Sequence, residues 1–198
     1  MRAWPDSCLG LVLPCHSIPK DCEDAVSLLE QFKCQYAVLD LSEAYDALTR
    51  ALPAEDTPNR ALARANIKPR LRMVALYYYA NLHNYLVLGT GNRDEIHVGY
   101  STKYGDGGVD VQPLGSLTKV EVRELARYLG VPPGIVEKPP SAGLWEGQTD
   151  EAEMGLMYKD IDAYLLGLPV PEDIRRKIEA RHASSGHKRR TPPIPKSD

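Results

Sequence analysis

The chain has 198 residues, 43% of them apolar, and a formal net charge of −3. That size suits one domain with a proper core, and the slightly acidic balance argues against a dedicated nucleic-acid binder. No apolar run is long enough to cross a bilayer, and the start lacks a charged segment followed by a long apolar one, so neither a membrane partner nor a secretory signal is expected and the cytoplasm is the default compartment.

In chain order, residues 9–13 read as a strand. Ala25, Leu28, Leu29 and Phe32 recur at helical spacing after a candidate cap, Asp21. Residues 36–39 form a second short apolar run, and Ser42 precedes a helix carrying Ala44, Leu48 and Leu52. The cysteines Cys8, Cys15, Cys22 and Cys34 all fall in this region without a C-x-x-C pair, which favours reduced structural thiols over a zinc site. Cys8 and Cys34 border the apolar runs and are expected to be buried. After Pro53 and Pro58, residues 59–83 read as one long helix or a broken pair, with Ile67, Leu71, Val74, Ala75 and Tyr78 as its buried stripe. Pro69 removes a donor and clashes with a preceding turn, so a helix should begin near Ile67 or Lys68. Residues 85–88 read as a third strand.

A glycine-rich stretch follows, and then Val122, Leu125, Ala126 and Leu129 mark a helix closed by Gly130. Pro132 and Pro133 open a short segment, 147–153 reads as a polar, acidic, mobile loop, and 160–166 and 171–182 read as closing helices. The tail, 184–198, is basic and proline-rich, and on bulk features it reads as disordered. Strands alternating with helices predict a single α/β domain over 1–198, a doubly wound parallel sheet covered on both faces.

The stretch 89–119 carries the densest chemical signal. It holds Gly89, Gly91, Gly99, Gly105, Gly107 and Gly108 beside Lys103, Lys119, Glu95, Asp106 and Asp110. A loop of that length is uncommon in a compact domain unless it is functional or disordered. Glycines let backbone N–H groups approach an anion, lysines add charge, and spaced carboxylates suit Mg²⁺ or a sugar. Thr118 and Glu121 form a T-x-x-E capping box, which puts Lys119 in the first turn of its helix. The macrodipole makes a lysine there unfavourable unless an anion lies opposite, and a phosphate would be such an anion. A solvated surface lysine is the plainer alternative.

The runs G-T-G-N-x-D-E, T-K-Y-G-D-G-G-x-D and P-L-x-x-L-T-K resemble the core of the ammonia-dependent NAD synthetase family, a branch of the N-type ATP pyrophosphatases. Residues 66–73 resemble its N-I-K-A-R-x-R-M segment, with Pro69 in place of alanine. Residues 138–145 and 147–151 resemble its K-x-P-S/T-A-x-L-W and Q-T/S-D-E segments, and His187-Lys188-Arg189 resembles its C-terminal H-K-R. The likeness covers nearly the whole chain. It implies an adenine nucleotide α-hydrolase-like fold, and a ligase that adenylates the carboxylate of deamido-NAD with ATP and then transfers ammonia to it. Thr90, Lys119 and Ser141 would contact ATP. Glu95 would hold Mg²⁺. Arg70, Lys103, Asp110, His187 and Lys188 would hold deamido-NAD, and Asp106 would guide ammonia or the pyridine ring. A homodimer sharing the dinucleotide site is also implied.

The family's S-G-G-x-D-S loop, with its strand, has no counterpart here, since residues 9–13 already resemble the family's second strand. The expectation is impaired ATP pyrophosphate binding, and the alternative reading is a dinucleotide-binding or dimerisation module. A different ATP pyrophosphatase is disfavoured by T-K-Y-G-D-G-G and H-K-R.

Overall fold

The computed structural model describes residues 7–53, 55–145 and 147–195, so the residues before Ser7 and the last part of the basic tail lie outside it. The elements are β1 (Leu9–Val12), α1 (Pro19–Gln31), β2 (Gln35–Val38), α2 (Ser42–Ala51), α3 (Arg60–Ala65), α4 (Ile67–His83), α5 (Arg93–Val98), α6 (Lys119–Leu129), α7 (Pro133–Val136), α8 (Asp150–Met154), α9 (Tyr158–Leu165) and α10 (Glu172–Ser184). A 3-10 turn, Gly186–Lys188, follows α10. No helix among the described residues is long and apolar enough to cross a membrane.

The fold is α/β. β1 and β2 run parallel, with Leu9 opposite Gln35 and Val12 opposite Val38, and α1 makes the crossover. The third expected strand shrinks to one parallel bridge, Leu88 to Val111. Its far edge meets no strand among the described residues, which leaves Leu86 at 68% and Leu88 at 55% exposure. A strand forms by pairing, so an apolar run with one paired residue keeps little of the ladder.

Residues 59–83 form a broken pair joined at Asn66, and Pro69 falls in the first turn of α4 as its chemistry requires. The expected stripe of α4 is corrected. Val74 and Tyr78 are exposed, and the buried positions include Lys68, Pro69, Ala75 and Ala80. Buried Lys68 donates to the Leu144 carbonyl at 2.8 Å, and Arg72 donates to the Leu13 carbonyl at 3.0 Å. Carbonyl partners offset the cost of burying these cations, so apolar periodicity misplaces the face.

Two other expectations change. The stretch 89–119 contains α5, capped by Asn92 through a box with Glu95. The acidic segment after Gly147 contains α8, whose N-cap Thr149 accepts from Ala152 N at 3.3 Å. Side-chain caps at both places supply the orphan N–H groups that a loop would leave to water. Among the cysteines, Cys15 and Cys34 are buried, Cys8 and Cys22 are half-buried, and all four are free thiols.

Three apolar clusters hold the layers. Val98, Met154, Leu156, Tyr158, Ile161 and Ile178 join α5 to α9 and α10. Leu13, Cys15, Leu41 and Ala75 join β1 to α4, and Val12, Leu29 and Cys34 seat α1 on the sheet. Ile161 and Ile178 are wholly buried, each contributing about 2–3 kcal/mol of transfer free energy. Leu13 of the second cluster and Val12 of the third line a cleft.

Candidate active site

That cleft has a volume of about 1060 Å³ and runs between β1, α1 and α4 on one side and α5, α6 and the 138–144 segment on the other. Thr90, Glu95, Lys119 and Ser141 all line it, as do Asp106 and Lys188. Ser141 sits in a turn where its Oγ accepts from Gly143 N at 3.1 Å. Lys138, at the start of that segment, is tied to Asp21 and to Asp24 of α1.

Glu95 is fixed by its own helix start. Asn92 Oδ1 accepts from Glu95 N at 2.9 Å, and Glu95 Oε2 accepts from Asn92 N at 3.1 Å. This reciprocal box aims Oε1 into the cleft. There it accepts from Lys119 Nζ at 3.1 Å, Tyr158 Oη at 3.0 Å and Asn92 Nδ2 at 3.0 Å. Lys119 Nζ also lies 4.6 Å from the centroid of the Tyr158 ring, within cation–π range.

The expected capping box of α6 is present: Glu121 Oε2 accepts from Thr118 N at 2.7 Å. Lys119 N donates to Asp94 Oδ2 at 2.8 Å and to Asp162 Oδ1 at 3.0 Å. The anion that Lys119 needs is therefore present as protein carboxylate. Asp94 is fully buried, and its Oδ1 has no hydrogen-bond partner in the structure. Desolvation first, and the Asp162 carboxyl second, push its pKa up to about 7.

Behind Glu95 runs a chain of carboxyls and phenols. Tyr158 Oη lies 2.9 Å from Asp150 Oδ2, while Tyr100 Oη lies 3.0 Å from Asp150 Oδ1 and 2.9 Å from Glu153 Oε2. Each phenol has one proton to give. Burial raises the pKa of Asp150, and burial and the facing carboxylates raise those of Tyr100 and Tyr158, so both phenols stay protonated. The chain keeps the wall behind Glu95 stiff and acidic.

The dinucleotide candidates divide into two places. Lys188 lies in the cleft, where its Nζ donates to the Gly99 carbonyl at 2.7 Å and the Ser101 carbonyl at 2.6 Å. Arg70, Lys103 and Asp110 gather instead on the side of α4. Arg70 Nε donates to the Lys103 carbonyl at 3.3 Å, and Asp110 accepts from Tyr77 Oη at 3.0 Å and from Val87 N at 2.8 Å. His187 is exposed and lies in the 3-10 turn. Asp106 Oδ1 accepts from Thr102 N at 2.8 Å, and desolvation raises its pKa. The stretch around Lys188 is packed, which corrects the disordered reading drawn from bulk composition for that part of the tail.

Sequence reasoning passed over Asp162, Tyr158 and Tyr100, and gave no role to Asp94 and Arg189, which stand inside the quoted runs. Tyr158 stands 63 positions from Glu95, and no local spacing announces such a pair.

The model of the family described as NAD synthase matches residues 2–192. The NH(3)-dependent NAD(+) synthetase of Carboxydothermus hydrogenoformans is 52% identical over 196 residues, covering 98% of this chain and 80% of that protein. The solved structure of an NMN synthetase from Francisella tularensis superposes with a TM-score of 0.89 at 39% identity, over 94% of this chain and 78% of that one. An NH3-dependent NAD synthetase from Campylobacter jejuni gives a TM-score of 0.73 at 28% identity, over 95% and 77%.

Proposed function

The chain belongs to the NAD synthase family, and on that premise we propose that it joins ammonia to the nicotinate carboxylate of deamido-NAD at the expense of ATP. The carboxylate displaces pyrophosphate from the α-phosphorus of ATP, and ammonia then displaces AMP from the acyl adenylate, leaving NAD. The observation that carries this reading is the convergence of Thr90, Glu95, Lys119 and Ser141 on one cleft from three segments, 90–95, the start of α6 and 138–144.

The side chains divide the work. Lys119 exchanges Glu95 for an ATP phosphate, for which its position in the first turn of α6 suits it. Thr90 and Ser141 donate to phosphate or ribose oxygens. Asp94 and Asp162 hold the start of α6, and with it the lysine, in register. The donor set fits Mg²⁺. Glu95 presents a carboxylate whose cationic partner can move away, and Mg²⁺ ordinarily takes one or two carboxylates plus substrate phosphates rather than a full protein cage. Glu95 would hold the ion, which would neutralise phosphate charge.

Arg70, Lys103 and Asp110 suit the dinucleotide: arginine binds a diphosphate by its fork, and aspartate accepts from ribose hydroxyls. They adjoin the exposed face of α4, an arrangement that supports a site completed by a second copy in a homodimer. A soluble cytoplasmic enzyme is the corresponding cellular reading. A second substrate reading is favoured by the superposition on an NMN synthetase, in which nicotinate mononucleotide replaces deamido-NAD.

The test is turnover with ATP, Mg²⁺ and ammonium, supplying deamido-NAD or nicotinate mononucleotide in parallel. NAD formation with the larger kcat/KM for the dinucleotide is expected. Lys119→Met should lower kcat/KM for ATP about a hundredfold, the usual loss for a preorganised contact to developing charge. Arg70→Met should act on the dinucleotide KM. Absence of turnover with either nucleotide refutes the ligase, and preference for the mononucleotide selects the second reading.

A further inference from the structure

We infer that Arg189 is a positioning residue for the dinucleotide end of the site, pinning the C-terminal segment to α5 so that Lys188 can shape the loop that bears Lys103 and Asp106. This deepens the proposed function and rests on it for the identity of the ligand.

Arg189 reaches two helix ends at once. Its Nη1 donates to the Ile96 carbonyl at 3.1 Å, the His97 carbonyl at 3.1 Å and Ser185 Oγ at 2.8 Å, and its Nη2 donates to the His182 carbonyl. The first two close α5 and the others belong to the end of α10 and its cap. Carbonyls of a last helical turn have no partner within the helix, so a guanidinium between two such ends satisfies both. A planar fork can do this where a lysine's point charge cannot.

The contact is close in backbone as well as in side chain. Gly99, the C-cap of α5 at φ +68°, lies so near the tail that an added Cβ would stand 2.1 Å from Ser185 Cβ. His182 Nδ1 lies 2.9 Å from the His97 carbonyl, with the two rings stacked at 4.2 Å. Arg189 thereby fixes its neighbour. Lys188 Nζ donates to the Gly99 and Ser101 carbonyls just beyond α5. From Ser101 the chain passes to Thr102, whose N–H donates to Asp106 Oδ1 and whose Oγ1 lies 2.7 Å from Asn66 Oδ1, and then to Lys103. The path Arg189, Lys188, Ser101, Lys103 leads to the dinucleotide candidates. Glu95 is held by Asn92, Lys119 and Tyr158, and among the described residues Arg189 hydrogen-bonds to none of them. Loss of the clamp should therefore act on one substrate and spare the other.

The experiment compares Arg189→Ala and Arg189→Lys with the parent chain. Amide hydrogen exchange across 99–106 is measured without ligand, and deamido-NAD and ATP are titrated calorimetrically. Faster exchange in that segment is expected for Arg189→Ala, with deamido-NAD affinity about tenfold weaker and ATP affinity within about twofold, and Arg189→Lys should fall between. Unchanged exchange, or equal losses for the two ligands, overturns the inference. If the parent chain binds ATP but no deamido-NAD, the functional reading fails and exchange alone decides whether the clamp exists. Should Arg189→Ala not fold, Arg189→Lys must by itself show both faster exchange across 99–106 and the selective loss of deamido-NAD affinity.

Discussion

At the scale of single residues, the sharpest electrostatic consequence lies in a buried carboxyl, Asp94, and a half-buried imidazole, His97, that pull stability in opposite directions. Burial, with the charges of His182, Arg189 and Arg93, lowers the His97 pKa to about 4. An unfolded histidine takes its proton near pH 6.5, so between those values only the unfolded chain binds it, and stability falls as pH drops. Asp94 behaves in reverse. Its folded pKa of about 7 exceeds the ordinary carboxylate value, so across that window only the folded chain binds the proton, and stability rises as pH drops. Between pH 7 and 5 these two contributions therefore oppose each other. His97→Gln removes one side of the balance and should become more stable on acidification, by about 2 kcal/mol relative to the parent. Urea unfolding at both pH values checks it, and parallel behaviour of the two proteins would sink the assignment. Neither group was legible in the sequence. Asp94 stands inside the G-T-G-N-x-D-E run and His97 just beyond it, but their surroundings are set by α9, α10 and the tail, far along the chain. Lys119 and Glu95 were legible because each stands in a local helix-start pattern, while their mutual contact was not.

At the scale of elements, caps decide what forms. The box at Thr118 and the stop at Gly130 were readable, because both depend on a few consecutive residues, and α6 runs between them. The α5 box is equally local, yet the surrounding glycines masked it. Two C-cap glycines separate conformational cost from packing cost. Gly130 has φ +82° and nothing within 4 Å of an added Cβ, so Gly130→Ala should cost about 1 kcal/mol of left-handed strain. Gly99 adds the Ser185 collision to the same strain, at 2.1 Å. Gly99→Ala should cost at least about 3 kcal/mol, because backbone of α5 or of the tail must move. Thermal unfolding of the two variants measures the difference. Equal losses would mean that the tail yields freely, which the Arg189 contacts do not allow. The third strand shows the limit of element reading. Its apolar run is plain in the sequence, but a ladder needs pairing over several consecutive residues, and among the described residues it has one bridge.

At the scale of the whole molecule, α4 presents an apolar face too regular to be scatter. Val74, Tyr78 and Leu82 recur every fourth residue along α4 and are 60%, 64% and 62% exposed. That spacing aligns them on one side of the helix, where periodicity alone had assigned the first two to the core. Lys68 and Arg72 occupy the inner side, so the outer stripe was left to solvent. Side chains of this kind in a row mark a contact surface more often than a monomer surface. Arg70 belongs to the same helix, and Tyr77 holds Asp110 beside it, so a second copy seated here would close over the dinucleotide candidates. The proposed homodimer should therefore break through α4 and carry the dinucleotide affinity with it. Leu82→Glu places a charge where the partner's apolar face would sit, at a position already exposed, so it should leave the fold intact. Sedimentation is expected to shift from dimer to monomer, with unchanged circular dichroism and weaker deamido-NAD binding. A Leu82→Glu chain that stays dimeric, or a parent chain that sediments as a monomer at tens of micromolar, would remove α4 as the interface and leave its exposed stripe without a partner.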